Sequence, residues 1–200
     1  MIDMQTLNPR TMSERENYLL LTGSIIPRPI AFVTSISQDG TLNGAPFSYF
    51  NIVSAEPPLI SLSVQHDQGK SKDTARNILE KKEFVIHIVD EANVEKINMT
   101  AARLQPHESE ITLAGLTDIP STIVTVPSIK EAKIRLECVL ERSVSLESTD
   151  LLIGRVVQYH VDENIYSNGR IDAEKLAAVS RLAGSQYAKI GELFSLVRPK

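Results

Sequence analysis

Two lysines and two hydroxyls crowd into six residues, Gly69-Lys70-Ser71-Lys72-Asp73-Thr74. The stretch that follows, Asp73 to Lys82, reads as a short helix, with Asp73 as its N-cap and Lys81 and Lys82 at its C-terminal dipole end. Cations at a helix start are disfavoured by the dipole, and an anion held there reverses that cost. The first-turn N–H groups, the Ser71 and Thr74 hydroxyls and the two ammonium groups together could hold a phosphate. The plainer alternative is a solvated loop before a capped helix, and the motif alone favours it. No Gly-rich run precedes a Gly-Lys-Ser/Thr, so this is not a Walker loop.

Other chemistry finds little support. His66, His87, His107 and His160 lie far apart, and none stands at metal-ligand spacing. His87 and His160 fall inside strand-like runs and read as satisfied sheet residues. Cys138 alternates onto the apolar face of its strand, which makes it a buried, inert thiol. No serine stands in a Gly-x-Ser-x-Gly turn, and no dinucleotide fingerprint follows a strand. The residues therefore name no catalytic group and no metal site.

The elements that would carry these residues are mostly strands. From Pro27 to Asn51 the chain runs PRPIAFVTSISQDGTLNGAPFSYFN. Ile30 to Ile36 is a strand, and Asp39-Gly40 predicts a type I′ hairpin turn with φ > 0 at both residues. The returning strand reaches Ala45-Pro46-Phe47-Ser48-Tyr49-Phe50-Asn51, and Pro46, with no N–H, should loosen the pairing there. Residues 1–17 read as a loose arm or short helix, followed by a short apolar patch at Tyr18 to Leu21. Leu59 to Val64, Glu83 to Val89, Lys133 to Glu141 and Leu151 to Val161 are further strands. Gly154 marks a bulge or a close backbone approach in the last of these. Asp90 should cap a helix reaching Met99 or Arg103, and Asp172 to Ala178 looks helical. Residues 104–128, with Pro106, Pro120 and Pro127, read as a loop-rich excursion, and the stretch after Val179 as an irregular tail. Six or more strands with short helices favour a β-barrel with peripheral helices over a doubly wound sheet.

The 200 residues suggest one domain, with a core over about 18–165 and a C-terminal segment, 166–200, packing on it. A net charge of −4 argues against non-specific nucleic-acid binding. No apolar run is long enough to span a bilayer, and the N-terminal stretch lacks a signal-peptide pattern. A single cysteine fits a cytoplasmic location.

Taken in order, several short segments form a recognisable set. They are Pro27-Arg28-Pro29-Ile30-Ala31, Ala45 to Asn51, Pro57-Pro58-Leu59, Lys72-Asp73-Thr74 with Asn77, Phe84-Val85-Ile86, and Arg181-Leu182-Ala183-Gly184 with Tyr187. This set resembles the flavin reductase-like, FMN-binding split-barrel family, in its flavoredoxin-like branch. Ala183 stands where many members show glycine. The resemblance implies a Greek-key split β-barrel, a homodimer, and FMN in a groove near the dimer interface. It implies that Ala45, Ser48, Tyr49, Phe50 and Asn51 lie along the isoalloxazine ring. Arg28 with Lys72, Asp73 and Thr74 would hold the phosphate and ribityl end, and Ser63 and Val64 would line the same cleft. Arg181 and Tyr187 belong to a C-terminal motif near the site. The implied activity is hydride transfer from NADH or NADPH to flavin, with a protein electron acceptor as a further partner. That chemistry needs stacked, oriented rings rather than a side-chain acid or base. Two alternatives stay open: an FMN electron-transfer protein without a nicotinamide site, and a non-enzymatic domain. The intact Lys72-Asp73-Thr74 loop argues against loss of flavin.

Overall fold

The computed structural model describes residues 2–102 and 109–199. In chain order its main elements are α1 (Glu14–Ser24), β1 (Arg28–Pro29), β2 (Ala31–Ile36), β3 (Leu42–Phe47), β4 (Phe50–Ala55), β5 (Pro58–Gln65), α2 (Asp73–Lys81) and β6 (Glu83–Ile88). Then come α3 (Val94–Met99), α4 (Glu110–Leu113), β7 (Asp118–Ile119), β8 (Ser128–Ile129), β9 (Ile134–Ser145) and β10 (Thr149–Val161). The C-terminal part adds β11 (Tyr166–Ser167), β12 (Arg170–Ile171), α5 (Ala173–Leu176), β13 (Val179–Arg181) and β14 (Tyr187–Lys189).

Seven strands form one antiparallel sheet in the order β3-β2-β6-β9-β10-β5-β4. Its two edge strands, β3 and β4, are consecutive in the chain and joined only by Ser48 and Tyr49. A two-residue link between opposite edges forces the sheet to roll until those edges meet, so the architecture is a barrel split between β3 and β4. Tyr49 carries the β4–β5 ladder one pair beyond Phe50–Leu62: Ser63 N–H on β5 donates to its carbonyl at 2.8 Å. The expected split-barrel class is therefore the observed one. Among the described residues, no helix is long and apolar enough to cross a membrane.

Alternation fixes which side chains fill the barrel. On β5, Ile60, Leu62 and Val64 point inward while Ser61 and Ser63 do not. Leu62, Phe84, Ile86, Cys138 and Leu152 are fully buried, and α2 plugs one end with Ala75 and Ile78. Gly154 is both a bulge and a close approach. The β9–β10 register shifts beside it, and a Cβ there would lie 2.4 Å from Phe84 Cζ. Burial leaves Cys138 an inert thiol, its pKa pushed far up by desolvation. His87 on β6 is a satisfied sheet residue. Its Nδ1–H donates to the Phe32 carbonyl at 3.0 Å, and its Nε2 accepts from Ile129 N–H at 2.9 Å. Full burial holds this imidazole neutral, its pKa pushed down to about 3. Glu137, also without solvent exposure, accepts from Thr122, Ile123 and Val124 N–H and from His160 Nε2. These bonds outweigh desolvation and hold its carboxyl down at about 2.

Several local expectations are corrected. The Ser37–Thr41 turn has positive φ at Gly40 alone; Ser37 N–H donates to the Thr41 carbonyl, so this is not a type I′ turn. Pairing runs through Pro46, opposite Phe32, because β3 is an edge strand whose missing N–H costs no ladder bond. The chain leaves the sheet two residues later. Residues 14–24 form a full helix closed by a capping box, with Ser13 and Glu16 exchanging side-chain-to-backbone bonds. The N-cap of α2 is Lys72, not Asp73. Asp73 occupies the first helical position and pairs with Arg76. Asp90 caps a turn, accepting from Ala92 and Asn93 N–H, and α3 starts only at Val94. Arg103, Pro106 and His107 lie outside the described residues.

Candidate functional site

Two adjoining cavities, of about 970 and 350 Å³, open beside the split and share the walls Tyr18, Pro46, Phe47, Gln65, Lys72 and Ala101. Segments far apart in sequence meet here: α1, the β3–β4 link, the end of β5, the loop into α2, and the C-terminal turn between β13 and β14. The link is the centre of the arrangement. Because Ser48 and Tyr49 belong to neither edge strand, Pro46 to Tyr49 form a half-buried strip along the smaller cavity. Burial raises the Tyr49 pKa.

The larger cavity ends at the start of α2. Nine residues long, this helix has no side chain capping its first turn, and Lys72, Asp73 and Thr74 line the cavity there. The preceding loop is a rigid hairpin. Asp67 and Lys70 exchange backbone hydrogen bonds at 2.8 and 3.0 Å, with Gln68 and Gly69 both at positive φ. Such a turn orients Lys70 and Lys72 with little loop entropy left to lose. Free first-turn N–H groups beside two ammonium groups suit a phosphate.

The hydroxyls of that motif do something else. Thr74 is 2 % exposed, and its Oγ1–H donates to Asn43 Oδ1 at 2.9 Å. Ser71 Oγ–H donates to Asp150 Oδ2 at 2.6 Å. Both protons face the barrel, so these two groups fix the loop rather than offer donors to a ligand. Asn43 in turn donates to both Glu110 oxygens at 3.1 Å. Burial of Glu110 raises its pKa, against the lowering effect of the Gly44 N–H.

Of the residues the sequence singled out, Arg28, Ala45, Ser48, Tyr49, Ser63, Lys72, Asp73, Thr74, Arg181 and Tyr187 line the two cavities. Phe50, Asn51 and Val64 do not. Phe50 packs on the core, Val64 is fully buried within it, and Asn51 is exposed with Oδ1 accepting from Ile52 N–H at 2.8 Å. Arg28 lines the smaller cavity, but its guanidinium is tied to the Thr22, Ile25 and Leu182 carbonyls at 2.7 to 2.8 Å. It welds α1 to the C-terminal motif. Arg181 sits over the Tyr187 ring, 4.6 Å from its centroid, and donates to Tyr187 Oη and the Gly184 carbonyl. Tyr187 Oη–H then reaches Asn98 Oδ1 at 3.0 Å. Sequence reasoning missed Tyr18, Asn43, His66 and Glu110. The Ser13–Glu16 capping box was the readable signal for α1 and hence for Tyr18; the others are joined only by the fold.

The chain matches the flavin reductase-like domain family over residues 22–175. It is 52 % identical to the Bacillus subtilis protein YwrF, covering 94 % of this chain and 96 % of that one. Nitrilotriacetate monooxygenase component B from Bacillus cereus superposes with a TM-score of 0.97 at 59 % identity, over 98 % of this chain and all of that one. The 2-nitrobenzoate 2-nitroreductase of Pseudomonas fluorescens superposes with a TM-score of 0.89 at 31 % identity, over 98 % and 96 %.

Proposed function

Because the chain belongs to the flavin reductase-like family, we propose that it is an FMN-dependent oxidoreductase that takes hydride from NADH or NADPH and passes the electrons to free flavin or another acceptor. One observation carries this reading. The uncapped start of α2, with Lys70 and Lys72, opens into the same cleft as the Ala45–Tyr49 strip. That puts an anion site and a surface for a flat ring in one continuous space. Bound FMN supplies the hydride-accepting ring. The α2 N–H groups and the two lysines would hold the phosphate. The Pro46–Tyr49 strip would orient the ring, and Tyr18 and Tyr187 would limit water at its exposed side.

The Bacillus cereus relative is named as component B of a monooxygenase, which supports a separate oxygenase component as the consumer of the electrons. We infer further that the chain works as a homodimer. Leu19, Leu20, Leu21, Ile25 and Ile26 on and after α1, Ile52 on edge strand β4, and Phe194, Leu196 and Val197 in the tail are large, exposed and apolar. Brought together against a second copy, these side chains would leave water. Light scattering should return twice the 22.1 kDa chain mass.

The test of the reading is a visible spectrum of the purified protein with added FMN, followed anaerobically with NADH and with NADPH. A bound flavin that bleaches with either nucleotide is expected. A protein that binds no FMN sinks the whole reading; one that binds FMN but never bleaches sinks the reductase part.

A further inference from the structure

The larger cavity holds a cluster that the hydride chemistry does not use. Asp150, on β10 opposite Val64, is 4 % exposed and receives two donors on one oxygen. His66 Nε2 lies 3.0 Å from Oδ2, and Ser71 Oγ 2.6 Å from the same atom. Ser145 Oγ is 3.4 Å from Oδ1. One buried carboxylate thus pins both sides of the Asp67–Lys70 hairpin to the barrel. It also sets the His66 ring beside Ser71, one residue before the α2 N-cap.

A carboxylate only accepts, so the ring proton is on Nε2 when His66 is neutral. Nδ1 is then a bare acceptor, with no partner among the described residues. A bare acceptor cannot bond to a phosphate dianion, which has no proton to give, whereas an imidazolium donates from both nitrogens and could give one bond to Asp150 and one to the phosphate. The Asp150 charge stabilises that cation from behind, and a phosphate dianion would stabilise it from the front.

We propose that His66, backed by Asp150, is a specificity residue for the phosphate of the bound flavin, and that binding FMN takes up a proton at this imidazole. The inference rests on the FMN reading above and adds to it a discrimination between phosphorylated and unphosphorylated flavin. Other charges face the same cavity. Lys70, Lys72 and Arg76 from the loop and α2, with Arg15 from α1, oppose a further cation. Asp67, Asp73, Glu14 and Glu110 favour one. Of these, Glu110 is the competing proton acceptor, because burial raises its pKa.

Calorimetry of FMN binding at pH 7.5, in buffers of different ionisation enthalpy, measures the proton directly. At that pH a phosphate monoester is already mostly a dianion, its second pKa being about 6, so the ligand adds little of its own. The wild-type chain should take up a substantial fraction of a proton. Glu110→Gln should keep that uptake and His66→Gln should abolish it. His66→Gln should also weaken FMN binding about tenfold more at pH 6.5 than at pH 8.5, with riboflavin affinity unchanged. If the glutamine variant does not fold, Asp150→Asn serves, because it removes the charge behind the ring and should move proton uptake to lower pH. Uptake unchanged in His66→Gln, or lost in Glu110→Gln, overturns the assignment to His66. Riboflavin and FMN losing affinity equally in His66→Gln overturns the phosphate specificity. Failure of the wild-type chain to bind FMN overturns the cofactor reading, and this inference falls with it.

Discussion

Lowering the pH from 7.5 to 5.5 should cost the fold about 1.4 kcal/mol through His87 alone. The ring is fully buried, and both nitrogens are committed in the neutral form, one donating to Phe32 and one accepting from Ile129. Its pKa is about 3 in the folded chain against 6.5 ordinarily. The folded value is depressed, so below 6.5 the unfolded chain binds a proton that the folded chain refuses. Stability from this group therefore falls as pH drops, by about 1.4 kcal/mol for each unit between 6.5 and 3. Only the unit from 6.5 to 5.5 counts in the stated interval, which makes the unfolding constant about tenfold larger. Glu137 titrates lower. With a folded value of about 2 against 4.5, its contribution is lost only as pH falls through that window. Urea unfolding followed by circular dichroism at pH 7.5, 6.5 and 5.5 reads the slope. His87→Asn keeps a donor near Phe32 but strands the Ile129 N–H. It should lose about 1–3 kcal/mol at neutral pH and show a shallower slope between pH 6.5 and 5.5. An identical slope in wild type and variant would refute the assignment to His87.

Three further outcomes are expected. Lys72→Ala should weaken FMN binding by about 1–3 kcal/mol while sparing riboflavin, since only the phosphate meets the ammonium; parallel fluorescence titrations check it. Gly154→Ala should lower stability by about 1–3 kcal/mol on urea unfolding, because the new methyl lands 2.4 Å from the buried Phe84 ring. Glu137→Gln should destabilise by about 3 kcal/mol or more, as a buried acceptor of many N–H groups loses its charge. Faster proteolysis around residues 121–126 should accompany that loss.

The sequence spoke clearly wherever a signal was local and periodic. The alternation in β5, the Gly154 irregularity and the two-lysine loop all appear where their residue patterns put them, whereas β9 buries Glu137 on the face its alternation assigns to solvent. It was silent where a residue's role depends on a partner far along the chain. Thr74 and Ser71 looked like ligand donors because nothing local reveals that Asn43 and Asp150, 31 and 79 residues away, take their protons. Arg28 looked like a phosphate clamp because its Leu182 carbonyl is 154 residues distant. His66 reads in the sequence as a lone histidine for the same reason. Pro46 misled differently: its effect on pairing depends on whether its strand has a neighbour on both sides, which only the sheet order decides.

The two-residue link at Ser48–Tyr49 also bears on how the chain folds. Hairpins β2–β3, β4–β5 and β9–β10 close short loops and cost little chain entropy. The link belongs to two of these hairpins, which must dock at opposite ends of the sheet through β6 and β10 before the split can form. The cleft is thus a product of the least local pairings, the slowest kind to be made. A ligand that recognises the closed split binds only what those pairings complete. It stabilises them by mass action, in proportion to RT ln(1 + [L]/Kd), so flavin supply would govern how much of the chain is held in its finished form.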